Sequence, residues 1–210
     1  MDERILHILQ FEVAFQCKCV LMAADVLNGQ FSLPLVKTDS DVVWFALQSL
    51  LIAAANLSKL FWGSAGKREA ERLDLRVSLE VKGDSPLRDP DLRNDFEHFD
   101  TRVEDWFAKS EQHNFMGRTI GQHAGVVGVS MGDRFQWYDP STSVVTFWNH
   151  SVALVPVIAE VQRILPLAQT AMTQDTPPIR PIREVRCGTC GHLTPTCTCL
   201  DSDGKPLVWE

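Results

Sequence analysis

Between Val42 and Ser58 the chain carries no charged residue. A helix that is apolar nearly all round must be covered on most of its sides, by neighbouring helices or by lipid. Gln48, Ser49, Asn56 and Ser58 interrupt the run and Lys59 follows it, so it falls short of the roughly 20 apolar residues that a bilayer core demands. The stretch therefore reads as the central helix of a bundle, capped by Asp39 or Ser40 and ending near Trp62-Gly63. The rest of the chain has to supply its cover.

Helical patterns on either side can do so. Residues 3 to 28 place Ile5, Leu6, Leu9, Val13, Val20, Ala24 and Leu27 at helical spacing, with Asn28-Gly29 as the expected stop. Cys17 and Cys19 lie in this helix two residues apart, on different sides, which predicts buried free thiols rather than a pair. Lys67 to about Leu79 mixes helix-favouring charges with an alternation of Leu75, Val77, Leu79 and Val81, and is read as helix. Gly83 to Pro86 breaks it. Ser151 to about Thr173 is helical again, with Leu154, Val155, Ile158, Val161, Ile164 and Leu165 on its apolar side, Pro156 near its start and a kink expected at Pro166.

The best-marked helix lies between these. Asp89, Pro90 and Asp91 supply an N-cap, a first-turn proline and an acidic first turn. Leu92, Phe96, Phe99, Val103, Trp106 and Phe107 then recur at helical spacing to about Lys109, a stripe expected to be core throughout. At about 100° per residue, Arg93, Glu97, Asn94 and His98 fall in that order across the back, off the stripe. Packing does not claim them, so an arginine, an amide and an imidazole stand together on one polar face.

Arg93, Asn94 and His98 form an Arg-x(4)-His pattern with a polar residue after the arginine, and here the chain resembles the HEPN superfamily of helical bundles. The spacing alone carries little weight, because Arg118 to His123 and Arg186 to His192 are also spaced within four to six residues; the capped helix sets the first pair apart. The resemblance covers residues 1 to 110 and 150 to 173. It implies a metal-independent endoribonuclease that acts as a homodimer, two such helices facing each other to build one composite site and leaving a 2′,3′-cyclic phosphate. In that role Arg93 clamps the phosphate through its guanidinium fork, and His98, with an ordinary pKa near neutrality, moves protons. Asn94 positions one or the other, and Glu97 orients Arg93 at the substrate. Members of this type serve in toxin-antitoxin, defence or stress systems, which implies an RNA substrate and a protein partner or antitoxin. Others have lost catalysis, so a non-catalytic interaction or regulatory module is the competing expectation.

From Asn114 the texture changes. Glycines punctuate short apolar runs, and Arg134 to Asp139 and Ser143 to Trp148 flank Pro140-Ser141-Thr142 as a hairpin. The expected fold is mainly α, a HEPN-like bundle over residues 1–175 with a small β-hairpin insertion at about 114–150, followed by a linker and a Cys-rich tail over 176–210. Arg118 and His123, within the insertion, are candidates for shaping access to the bundle site.

Cys187-x2-Cys190 and Cys197-x-Cys199 put four thiols within 13 residues, enough to wrap a tetrahedral Zn²⁺. Free thiols and disulfides are the alternatives, and His192 can replace one cysteine. A tail this short packs little core of its own, so a structural zinc would supply its folding energy. The formal net charge of −7 and a pI near 5.4 exclude a broad electrostatic footprint for nucleic acid; contact with RNA has to be local. The amphipathic start, with Asp2, Glu3 and Arg4, lacks a signal-peptide pattern, giving the expectation of a cytoplasmic chain with no membrane partner.

Overall fold

Two aspartates set where the long helices begin. The Asp2 carboxylate accepts from the backbone N–H of Arg4 and Ile5 and starts α1, Glu3–Phe31; Asp39 does the same with Asp41 and Val42 and starts α2, Ser40–Trp62. Gly63 closes α2 with φ 77, its N–H donating to Lys59 O. A Cβ there would stand 2.8 Å from Arg68 Cβ, so the position requires glycine for space as well as for conformation. The computed structural model describes residues 1–34, 37–64, 68–88, 99–122, 128–148 and 150–174.

The stop expected at Asn28-Gly29 does not operate. Helix α1 runs on to Phe31, and Ser32 N–H takes the carbonyls of Asn28 and Gln30. Gly29 stays helical because the turn beyond it is anchored, with the Phe31 ring 5.6 Å from that of Tyr138. Such a contact outweighs the roughly 1 kcal/mol cost of a mid-helix glycine. Helices α1 and α2 form the most extensive helix pair in the fold. Gln30 Oε1 accepts from Asp39 N–H at one end and Gln16 Oε1 from Asn56 Nδ2 further along, so they run antiparallel. By length and composition alone, each is apolar enough to cross a membrane.

Of the stretch expected to be helical from Lys67 to Leu79, the described residues from 68 onward are helical only over α3, Leu73–Ser78, with turns at 68–72 before it. No side chain caps its N-terminus, which limits the longer helix expected there. The alternation that suggested a strand was incidental: Leu75 and Leu79, four residues apart, are fully buried, while Val77 is 67 % exposed. At the C-terminus Val81 N–H reaches back to Arg76 O and Glu80 N–H to Val77 O, with Glu80 at φ 54. This is the Schellman arrangement, with glutamate where glycine is usual. Buried Arg76 donates to Phe61 O at 2.5 Å and lies 5.9 Å over the Trp62 ring. A cation thus sits against the negative end of α2.

After a 3-10 turn at Pro86–Arg88 the next described helix is α4, Phe99–Lys109. Its last residue matches the expectation; its apolar stripe does so only in part. Trp106 is buried, but Phe99 is 41 % and Phe107 58 % exposed, so neither phenylalanine is core. Phe107 instead stacks on His113 at 4.1 Å.

The insertion is larger than a hairpin. Strands β1 (Thr119–Ile120), β2 (Gln136–Asp139), β3 (Val144–Phe147) and β4 (His150–Ala153) form one sheet in that order, β1 parallel to β2 and the others antiparallel. The expected β2–β3 hairpin is present, its turn fixed by Asp139 accepting from both the N–H and the hydroxyl of Ser141. Residues 150–153, read from sequence as the start of the last helix, are strand instead. They pair along the whole of β3, and Leu154 N–H then bonds to Ser143 O as helix α5, Leu154–Gln174, begins. Helix α5 continues through Pro166 as a single element.

The main core joins α1, α2 and α5. Val13, Cys17 and Val20 meet Leu47, Leu50 and Leu57 and, from α5, Val157, Val161 and Ile164, with Tyr138 and Val145 of the sheet closing one end. A second cluster of Trp106, Phe135 and Phe147 holds α4 to the sheet. Met1–Thr173 form one unit. The described residues are thus mainly helical with a four-stranded sheet, as the sequence led us to expect in outline.

Candidate functional site

Arg93, Asn94, Glu97 and His98, with the cap at Asp89, lie outside the described residues, and so do His123, Cys187, Cys190, His192, Cys197 and Cys199. Phe99, the residue bonded to His98, is described, and it lines a cleft of about 350 Å³ together with Gln48 of α2, Phe115, Gly117, Arg118 and Gln136.

Its walls follow from local folding. Phe135, fully buried, is the common backstop: the rings of Phe99 and Phe115 stand 5.6 and 5.3 Å from it. Phe115 is also 5.1 Å from Trp106. With their inner sides fixed this way, both rings remain about two-fifths exposed on the cleft side, as rigid apolar surfaces. Gly117 lets the chain pass beneath Phe115, since a Cβ there would come within 2.7 Å of that ring. Next to it, Arg118 adopts φ 53, a left-handed conformation costly for a long side chain. The guanidinium reaches Asp41 Oδ1 at 4.0 Å, between side chains 67 % and 91 % exposed. An ion pair so exposed holds the guanidinium only weakly. One cation, two primary amides (Gln48, Gln136) and two aromatic faces thus border one opening. A set like this can take a phosphate on the arginine, an edge with donors and acceptors on the amides, and a flat ring on the phenylalanines.

Sequence reasoning singled out Arg118 of this cleft as a candidate for shaping access to a site and passed over Gln48, Phe115 and Gln136. Gln48 had a usable signal, as a primary amide in the middle of an uncharged apolar helix. The other two gave none, because a phenylalanine and a glutamine beside a strand look like ordinary sheet residues.

A second cavity, of about 250 Å³, lies further along α4, between Trp106, Lys109, Ser110, Ser130, Asp133 and Trp148. Asp133, buried, accepts from Trp106 Nε1 at 3.1 Å, Ser110 Oγ at 2.5 Å and Ser130 Oγ at 2.9 Å. These hydrogen bonds, that from Ser110 foremost, hold its carboxyl below the usual carboxylate range against the opposing effect of burial. Lys109 Nζ sits 4.9 Å over the Trp148 ring. A carboxylate committed to three donors that tie α4 to the loop before β2 is a structural clamp, not a proton carrier.

The cysteines of α1 are free, as expected, but only one of the two is buried. Cys17 is fully buried and its thiol is pushed up to about 12, chiefly by burial and secondarily by Glu160; Cys19 is half-buried, and both are free. Among the described residues no group of three or more His, Cys, Asp or Glu is placed to hold a metal ion. Compared with known proteins, the chain matches no family model, no curated protein and no solved structure.

Proposed function

We propose that this protein is a HEPN-like, metal-independent endoribonuclease working as a homodimer, with Arg93, Asn94 and His98 as its catalytic residues and Glu97 beside them at the substrate. The observation that carries the reading is the cleft at Phe99: immediately after His98 in the chain, an arginine, two amides and two ring faces share one opening. That is equipment for holding a nucleotide, and it includes a residue adjacent in sequence to the proposed catalytic set. Arg118 would take a flanking phosphate while Phe99 and Phe115 offer stacking surfaces. In the reaction, one His98 removes the 2′-hydroxyl proton, the 2′-oxygen attacks phosphorus, and the 5′-oxygen leaves with a proton from the second His98. Products are a 2′,3′-cyclic phosphate and a 5′-hydroxyl, and Arg93 balances the charge that builds on the phosphoryl oxygens. The site lies in a cytoplasmic, non-membrane protein of toxin, defence or stress type in this reading, held by an antitoxin or another protein partner.

The test is cleavage of a mixed RNA pool in EDTA. Wild-type protein is expected to cut, and Arg93→Ala and His98→Ala to lose about 100-fold or more in rate with unchanged far-UV circular dichroism. Absence of cutting by the wild type, or equal rates in all three proteins, overturns the reading. The large exposed apolar side chains of α1 and of α2, where Phe45 is 70 % exposed, favour a second reading, a non-catalytic interaction module.

Cys187, Cys190, Cys197 and Cys199 are assigned in the same proposal to one structural Zn²⁺, supported by their spacing and by thiolate chemistry. Protein purified without chelator should carry about one zinc per chain by elemental analysis; a content near zero rules the assignment out.

A further inference from the structure

Where α1, α2 and the turn before α3 meet, a third cavity of about 400 Å³ opens between Glu12, Gln16, Asn56, Lys59, Leu60 and Arg72. That volume lies at the small end of the range for ligand pockets. Helical spacing sets five of the six: Glu12 and Gln16 stand one turn apart on α1, and Asn56, Lys59 and Leu60 share one turn of α2. Arg72, immediately before α3, supplies the sixth. All six are half-buried. Gln16 Nε2 donates to Glu12 Oε1 at 2.7 Å, and Asn56 Nδ2 donates to Gln16 Oε1 at 3.3 Å. These bonds order both amides and steady Glu12, while Glu12 Oε2 and Asn56 Oδ1 keep their lone pairs for another partner. The two cations are in a different position. Among the described residues neither Lys59 nor Arg72 has an ion-pair or hydrogen-bonding partner for its side chain, and Arg72 Nε is also buried from solvent. Charged groups withdrawn from water normally find a partner, and Glu12, the carboxylate in this lining, pairs with neither.

We propose that this cavity binds a free acidic amino acid, aspartate or glutamate. The argument is charge complementarity: two cations and one carboxylate in the lining call for two carboxylates and one ammonium in the ligand. Arg72 takes one carboxylate through its guanidinium fork and Lys59 takes the other. Glu12 Oε2 and Asn56 Oδ1 accept from the ligand's ammonium, and Leu60 covers its short aliphatic stem. A phosphate dianion fits the same lining less well, because Glu12 would meet it as a like charge. The lining draws on three elements, so an occupied site ties them together and stabilises the folded chain by mass action. It shares no residue with the cleft at Phe99 or with residues 93–98, and the inference is independent of the ribonuclease reading.

The experiment is isothermal titration calorimetry of the full chain with L-glutamate, L-aspartate, glutarate and inorganic phosphate, alongside melting temperatures in each. L-glutamate or L-aspartate is expected to bind and to raise the melting temperature. Glutarate, which matches glutamate but lacks the ammonium, should bind on the order of 10-fold more weakly. Arg72→Gln should lose about 10- to 100-fold in affinity for the amino acid with unchanged circular dichroism. Lys59→Gln should lose affinity in the same direction, so the outcome does not hang on the folding of one variant. In Glu12→Gln the preference for glutamate over glutarate should disappear, a change that a merely structural role for Glu12 would not produce. Neither heat nor a melting shift with either amino acid at millimolar concentration overturns the proposal. Tighter binding of phosphate than of both amino acids does so too, as does a Glu12→Gln protein that keeps the full preference for glutamate over glutarate.

Discussion

Asp133 fixes α4 to the loop before β2 through three donors, Trp106 from the last turn of α4, Ser110 just after it and Ser130 from its own loop. Removing its carboxylate leaves a buried indole N–H and two hydroxyls without their acceptor, so Asp133→Ala should cost about 2–4 kcal/mol at neutral pH, measured by urea unfolding. The pH dependence has a definite sign. A carboxyl held below its ordinary value in the folded chain contributes stability above about pH 4, the unfolded value, and loses that contribution as pH falls through the lowered folded value. The deficit of Asp133→Asn relative to wild type should therefore shrink as acid is added below pH 4, and a deficit that stays constant with pH contradicts this account. No pattern in the sequence singled out Asp133, since its partners at 106, 110 and 130 converge only once the sheet has formed. Cys17, by contrast, was legible, because its helical position alone put it on the core side of α1.

Among the elements, legibility followed the strength of local signals. The cap at Asp39 and the stop at Gly63 act where the sequence put them, and the β2–β3 hairpin forms around its proline-serine turn. Elements went astray where distant contacts outweighed propensity. Helix α1 overran Gly29 because Phe31 found Tyr138, and residues 150–153 became strand because β3 offered a complete ladder of partners. Helix α3 ends on Glu80 at φ 54, a position where glycine avoids the steric penalty that a Cβ incurs. Glu80→Gly should consequently stabilise the protein by about 0.5–1 kcal/mol after glycine's extra unfolded-state entropy is counted, read as a higher melting temperature by calorimetry. A lower melting temperature would mean that the Glu80 side chain matters more than its backbone.

For the whole molecule, the uncharged stretch at 42–58 decided the fold class, because a helix apolar on nearly every side admits few surroundings. The cleft at Phe99 was not legible, since Gln48, Phe115, Arg118 and Gln136 come from segments nearly ninety residues apart, while residues 93–98, proposed from sequence as catalytic, lie outside the described residues. Helix α5 has a further consequence. It begins more than ninety residues after α2 ends, yet Val157, Val161, Ile164 and Ala168 are buried in the same cluster as α1 and α2. Closing so long a loop before any burial rewards it makes assembly slow. During synthesis α1 and α2 therefore wait as an incomplete hairpin with apolar surface open to whatever meets it first. In the cell, the ease of making this protein depends on what happens to that hairpin before its last described helix arrives.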